Sequence, residues 1–534
     1  MYCASFKTAD IFECEINNYV SVILAMKTGY NDLVILQSVE SDKEILDREW
    51  KAINWKSIGY GIFKIQKRIF EAEKAGDYRK VNSLCRLLVN DKRSLLYSIY
   101  VVTKKNKGKR TSGVDGLVIR EDYERMALFH KLSEYNISLH NPKPVRRIYI
   151  PKKNGKTRPL GIPSIIDRIY QEICKLALEP MWEAKFEYSS FGFRPCRGTN
   201  DVITKIHTVA CRLKRPYIFE GDFKSCFDTL NHQHILDKLG NFPLKKLIKK
   251  WLEAGYLENN IFYRTKAGTP QGGIISPLLA NIALDGMEDA LDIKYKLREI
   301  HGKEYYTNPS KYVVIKYADD FIVLCRTLDD AEAVYGLLEE YLKDRGLTLA
   351  PDKTQITHIN DGFDFLGFNV RSYKGSGREK LLIKASKDSI KSFKTKAKDI
   401  IRNSYPWNLE QSIIRLNYLI NGVGNYWKMG TNKKLFSKMD HYVYELWMRQ
   451  IKRWHPNKSV KWRVNKYFKM STHPEHNYKW TFTNPNTGTQ VDMMYWIKIK
   501  YPRCIKYNAT PYDFRYEDYF NEIKSINPFE YLYG

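Results

Sequence analysis

The sequence predicts an α+β protein, with a strand-bearing amino-terminal two-thirds followed by a helical and strongly basic remainder. Three observations carry that expectation. Residues 313–324 place the acidic pair Asp319-Asp320 between two runs of apolar strand formers, the pattern of a buried hairpin. Ile62, Ile65, Ile69 and Phe70 recur at helical spacing among charged residues. Residues 371–510 hold 29 Lys+Arg against 8 Asp+Glu, a net of +21, whereas residues 1–370 carry +10 and the last 24 residues −3. With 534 residues, 43% of them hydrophobic and 14% aromatic, the chain can bury about three domain cores and is not a disordered protein.

Residues 1–44 contain no readable motif. A helix is predicted from Trp50 onward and a second over 81–96, followed by a basic loop, Lys104 to Thr111. Residues 145–163 read as two short strands joined by a turn at Lys153-Asn154-Gly155-Lys156. A helix carrying Asp167-Arg168-Ile169-Tyr170-Gln171 comes next, then a strand over 217–223, the acidic hairpin over 311–325 and an amphipathic helix over 328–345. From residue 384 to about 470 the pattern is helical. Seven of the eleven tryptophans lie in the basic stretch: Trp407, Trp427, Trp447, Trp454, Trp462, Trp480 and Trp496. Cations interleaved with large aromatics suit a polyanion that offers stackable bases, which points to nucleic acid. The competing reading makes the tryptophans helix core and the lysines a solvated face. Nine cysteines form no CxxC pair, as in a reducing compartment. No run of 18 apolar residues predicts a membrane span, and no secretory signal is visible. Asp10, Glu13 and Glu15 argue against an organellar transit peptide.

The chemistry starts at Tyr317-Ala318-Asp319-Asp320. Two adjacent carboxylates at the end of apolar strands are costly to desolvate unless a cation compensates them, and magnesium favours carboxylate oxygens. A solvated Asp-Asp turn is the alternative. Asp222 follows the strand Tyr217-Ile218-Phe219 and lies 97 residues before Asp319, so three acids from adjacent strands make a two-metal phosphoryl-transfer site chemically sensible. Asp228 reads instead as a helix cap or turn residue. The basic hairpin Ile150 to Pro163, with Lys152 and Arg158, can close over a triphosphate. In the glycine-rich turn Gly268-Thr269-Pro270-Gln271-Gly272-Gly273, Gln271 offers both donor and acceptor and the glycines allow close approach to a base and sugar. A tight helix-entry turn also explains those glycines.

In order and content these motifs, with Phe191-Gly192-Phe193-Arg194-Pro195, Leu349-Ala350-Pro351-Asp352-Lys353-Thr354 and Phe363-Asp364-Phe365-Leu366-Gly367-Phe368, resemble the reverse transcriptase family, most closely the group II intron-encoded proteins. Leu416 to Trp427 and His455-Pro456-Asn457-Lys458 resemble that family's thumb or maturase region. The resemblance implies an α+β right-hand polymerase. Its fingers and palm would span 45–372, an α-helical thumb/maturase domain 373–454, and a small basic nucleic-acid-binding region 455–534, with 1–44 an extension of unassigned role. It implies Asp222, Asp319 and Asp320 as catalytic acids and metal ligands, the Phe223 carbonyl as a further ligand, and two Mg2+ ions with Mn2+ as a substitute. Lys152 and Arg158 would hold the triphosphate, Gln271 would line the nucleotide, Phe227 would exclude a ribose 2′-OH, and Lys353 would protonate the leaving pyrophosphate. Phe365, Leu366 and Gly367 would form the primer grip, and Lys458, Lys461, Arg463 and Lys466 would contact nucleic acid.

The implied function is RNA-directed DNA synthesis combined with maturase action, in which the protein binds its own group II intron RNA, assists splicing and copies the intron for mobility. Partners would be that RNA, a DNA target and primer, and deoxynucleoside triphosphates, with no membrane and with homodimerisation open. The location would be a bacterial cytoplasm or nucleoid, or an organelle if organelle-encoded. Cys504 is the only cysteine beyond residue 325, so the HNH nuclease domain of many relatives is expected to be absent. The alternatives are a splicing-only maturase and a defence-associated reverse transcriptase.

Overall fold

The computed structural model describes residues 42–534 except 152–154, 156, 260, 270–271, 301–302 and 375–378. The extension assigned to 1–44 therefore lies almost wholly outside the described residues. Helix Trp55–Lys74 starts at Asn54, whose side chain accepts from the Ser57 amide, and buries Ile62, Phe63, Ile65, Ile69 and Phe70 on one face. The single helix expected over 81–96 is two, Tyr78–Val89 and Lys92–Tyr100. Asp91 causes the break, because its carboxylate accepts from the Arg93 amide and caps the second helix. Helix Ile165–Glu183 is buried on almost every face, as expected of a helix at the centre of a domain. Its acid–base pair is spent internally. Asp167 accepts from Ser164 and from Trp251 Nε1 at 3.0 Å, while Arg168 donates to the Gly108 and Thr111 carbonyls and so pins the basic loop.

The central sheet has the strand order Gln355–His358, Tyr217–Gly221, Asp320–Cys325, Val313–Tyr317, with every neighbour antiparallel. Alternation along its strands sends Phe219, Phe321 and Val323 into one core and Ile218, Ile322 and Leu324 into another. Both faces are covered, which is why these strands read as unbroken apolar runs. A second sheet joins the basic hairpin, Val145–Pro151 and Thr157–Ile162, to the short strands Tyr256–Glu258 and Ile261–Tyr263. A third, of Phe363–Phe365, Phe368–Lys374 and Glu379–Ala385, runs across the boundary placed after residue 372 and leads into the helices Lys387–Arg402, Leu409–Trp427 and Lys433–Trp454. The helix expected over 328–345 divides at Leu338 into Leu328–Leu337 and Glu339–Arg345.

The tryptophans divide between core and surface. Trp427 and Trp447 are core, whereas Trp407 is 79% exposed. The last stretch of the chain returns to the first helices. The buried Tyr512 and Tyr533 donate to Glu179 and Gln66, Tyr97 donates to the Leu532 carbonyl at 3.1 Å, and Lys74 pairs with Asp513 at 3.2 Å. Among the described residues no helix is long and apolar enough to cross a membrane.

Candidate active site

The acidic hairpin closes at the pair Tyr317↔Asp320, leaving Ala318-Asp319 as a two-residue turn. Ala318 takes φ +58°, a left-handed conformation that hairpins usually give to glycine. On the neighbouring strand the register ends at Gly221↔Phe321, and one further step brings Asp222 beside Asp320. Asp320 keeps an exposed surface, yet the protein crowded round its carboxyl withdraws it from water. That desolvation, with the negative charges of Asp319 and Asp222, pushes its pKa up to about 6, against the pull of Lys353. Lys353 Nζ donates to Asp222 Oδ2 at 2.9 Å, and this bond holds the ammonium above its usual pKa. Phe223 pairs with Leu349 through flanking bonds, Ala350 N–H to the Asp222 carbonyl at 2.8 Å and Lys224 N–H to the Thr348 carbonyl at 2.9 Å. In such a non-bonded pair the Phe223 carbonyl points away from Leu349, toward the acidic hairpin.

The donors suit a hard divalent cation: carboxylate oxygens, a carbonyl on the same side, and an acid whose crowding a cation would relieve. Among the described residues no three His, Cys, Asp or Glu side chains close around an ion position. The acids line the site without enclosing it, as magnesium sites do when water and substrate phosphate complete the shell.

The turn is braced from behind by residues whose role was not legible in the sequence. Lys316 N–H donates to the Ser189 carbonyl at 2.8 Å and Phe191 N–H to the Lys316 carbonyl at 3.0 Å. A Cβ on Gly192 would lie 2.3 Å from Ala318 N, so only glycine lets the two backbones meet. The buried Asn281 fixes that approach, its Nδ2 donating to the Gly192 carbonyl at 2.8 Å. Arg194 is a buried strut, forked onto Glu183 at 2.8 and 2.9 Å. Lys316 is likewise buried, paired with Glu187 and donating to the Leu284 carbonyl at 3.0 Å.

Of the other expected site residues, Lys152 and Gln271 lie outside the described residues. Arg158 is exposed on the basic hairpin, opposite Ile150. Phe227 is 8% exposed, with its carbonyl accepting from the Thr269 amide at 2.7 Å. The glycines of the rich turn meet protein backbone: a Cβ on Gly268 would lie 2.6 Å from the Phe227 carbonyl oxygen, and one on Gly272 2.5 Å from that of Gly161. The turn is thereby wedged between the Phe227 helix and the basic hairpin, and the buried Gln171 anchors it by accepting from the Ile274 amide at 2.9 Å. Asp228 sits inside the short helix Cys226–Thr229, and the cap of the next helix is Asn231.

Phe365 is buried, and Leu366 and Gly367 both take positive φ in the turn before Phe368. Their carbonyls accept from Tyr426 Oη at 2.8 Å and Ser389 Oγ at 2.9 Å, which ties this turn to the helices Leu409–Trp427 and Lys387–Arg402. Lys458 and Lys461 are exposed, and Lys466 lies over the Trp462 ring at 4.9 Å. Arg463 departs from the expectation of a solvent-facing cation: it is buried, with Nε donating to the Ser459 carbonyl at 3.4 Å.

Three family descriptions match the chain: N-terminal domain of reverse transcriptase over residues 50–132, Reverse transcriptase (RNA-dependent DNA polymerase) over 150–370, and Group II intron, maturase-specific domain over 390–468. Protein YkfC of Escherichia coli (strain K12) is 36% identical over 300 residues, covering 50% of this chain and 78% of that one. Group II intron-encoded protein LtrA of Lactococcus lactis subsp. cremoris is 29% identical over 435 residues, covering 66% of this chain and 71% of that one. The chain belongs to the group II intron-encoded reverse transcriptase family. Among solved structures, telomerase from Candida albicans aligns with this reverse transcriptase over 62% of each chain at 14% identity and a TM-score of 0.34, too weak a likeness to add to the assignment.

Proposed function

We propose that this reverse transcriptase copies RNA into DNA at Asp222, Asp319 and Asp320 with two magnesium ions, and that it also binds its own intron RNA as a maturase. The observation that carries the proposal is the strand register that sets Asp222 beside the Asp319-Asp320 turn. The three carboxylates and the Phe223 carbonyl would hold the ions, which when bound lower the pKa of the attacking hydroxyl and neutralise charge at phosphorus. Manganese would substitute. Arg158 and Lys152 would grip the triphosphate, and Gln271 would line the base. Lys353, kept protonated by Asp222, would deliver a proton to the departing pyrophosphate. Phe365, Leu366 and Gly367 would set the primer end from the palm–thumb joint.

Phe227 would close the sugar pocket against a 2′-OH. Phe227→Ala is expected to raise the ratio of ribonucleotide to deoxyribonucleotide incorporation by about 10²-fold, measured with competing triphosphates on one template. An unchanged ratio removes Phe227 from that role.

The maturase arm would rest on the basic carboxy-terminal half, through phosphate contacts from exposed cations such as Lys458 and Lys461 and through RNA shape. Affinity for the intron RNA should then fall by roughly 10³-fold between 50 and 200 mM salt, read from binding titrations across that range. A salt-independent affinity would reject it. A DNA target and a bacterial or organellar home complete the reading, with homodimerisation left open.

A further inference from the structure

We infer that the cleft between helix Lys433–Trp454 and residues 478–496 is a binding site for a single unstacked nucleobase of RNA; the inference rests on the RNA-binding arm of the proposed function. The cavity has a volume of about 520 Å³, room for one nucleoside. Its floor is prepacked: Trp447 stacks on Phe482 with ring centroids 3.9 Å apart and planes 12° from parallel. Its mouth carries exposed aromatic surface. Tyr478, Trp480 and Tyr495 are 42%, 47% and 49% exposed, and among the described residues none of these three rings stacks on another aromatic ring. Leaving three large rings this open to water has no folding benefit, whereas a base–aromatic contact is one of the few interactions every base can make.

The charges select which part of a nucleotide enters. Two carboxylates, Asp440 and Asp492, line the cleft. Asp440 accepts from the Met494 and Tyr495 amides at 2.7 and 2.8 Å, and Asp492 accepts from Asn421 Nδ2 at 2.6 Å, so both are fixed in place. An interior lined by carboxyls offers phosphate no partner and accepts hydrogen bonds from an exocyclic amine. Cations stand at the rim. The Lys433 ammonium lies 4.1 Å over the Tyr495 ring and donates to the Ile497 carbonyl, while Lys438 and Lys479 are exposed beside the lining residues Ser437 and Trp480. This arrangement takes the base in and leaves the phosphodiester outside. It favours adenine, cytosine or guanine over uracil, which has no amine.

The test uses the full chain and two probes of ten nucleotides, oligoadenylate carrying one central 2-aminopurine and oligouridylate. Wild-type protein is expected to quench the 2-aminopurine and to bind oligoadenylate more tightly than oligouridylate. Trp480→Ala and Tyr495→Ala should each weaken oligoadenylate binding about tenfold and lose the quenching, and Trp480→Phe should restore both. In Trp480→Ala, primer extension and the salt dependence of intron RNA binding should stay at wild-type values, because the rim cations and the acidic turn are untouched. Equal oligoadenylate affinity and quenching in wild type, Trp480→Ala and Tyr495→Ala would overturn the base site and assign the cleft to another occupant, such as an apolar protein segment. Binding of intron RNA without binding of oligoadenylate would overturn the base site while the maturase reading stands; binding of neither would overturn both.

Discussion

Asp319→Ala is expected to lower extension of a DNA primer on an RNA template by about 10³-fold or more, while intron RNA affinity changes by less than a few fold. The side chain sits in a two-residue turn, and its charge is one of the causes that push up the Asp320 pKa. Removing it takes away like-charge repulsion, so the melting temperature should be unchanged or slightly higher. Loss of activity at equal or greater stability is the signature of a residue kept for chemistry. The RNA-binding surface proposed for the carboxy-terminal half does not include the turn, which is why the two activities should separate. Primer extension, RNA titration and thermal unfolding of the same preparation check the three parts. Full extension by the variant would reject the metal assignment.

Gly192→Ala is expected to reduce extension by about 10²-fold without touching any acid. The new methyl would lie 2.3 Å from Ala318 N and 2.9 Å from the Tyr317 carbonyl carbon, both of them backbone atoms. Neither can swing aside as a side chain can, so the turn itself must shift, and with it Asp319 and Asp320. A displacement of about 1 Å at reacting groups commonly costs that much rate. Gly198→Ala is the control within the same loop, since a Cβ there meets nothing within 4 Å. Single-nucleotide extension rates for the two variants decide the matter: equal rates would show that the close approach at Gly192 does not set the turn.

The parts of this protein that could be read from sequence are those whose signal is local. The acidic hairpin was legible because apolar strands covered on both faces leave an unbroken pattern that an Asp-Asp pair interrupts. The order of the motifs then supplied the rest of the candidate site. What escaped was set by partners distant in the chain. Nothing near Gly192 in sequence tells that Ala318 will lie against it, and nothing around Asn281 tells that its amide will hold the Gly192 carbonyl. A positive charge says little about its destination: Arg463 and Arg194 are both buried, whereas Lys458 and Lys461 face solvent. Grouping 455–534 as one basic region likewise hides that Tyr512 and Tyr533, in its slightly acidic last 24 residues, complete the core of the first helices. The Asn90-Asp91 break shows a local signal that periodicity overrode, since an Asp followed by a helix-forming run is itself a start signal.

The central claim, that Asp222, Asp319 and Asp320 hold the catalytic ions, is tested most directly by letting the ion mark its own position. Ferrous iron exchanged for magnesium, with ascorbate and peroxide, generates hydroxyl radicals that cut the backbone next to the bound metal. Mass spectrometry of the fragments should place the cuts within 220–224 and 317–321, excess magnesium should suppress them, and the Asp222→Asn, Asp319→Asn, Asp320→Asn triple variant should lose them. Cuts confined to other segments, or undiminished in the triple variant, would contradict the assignment.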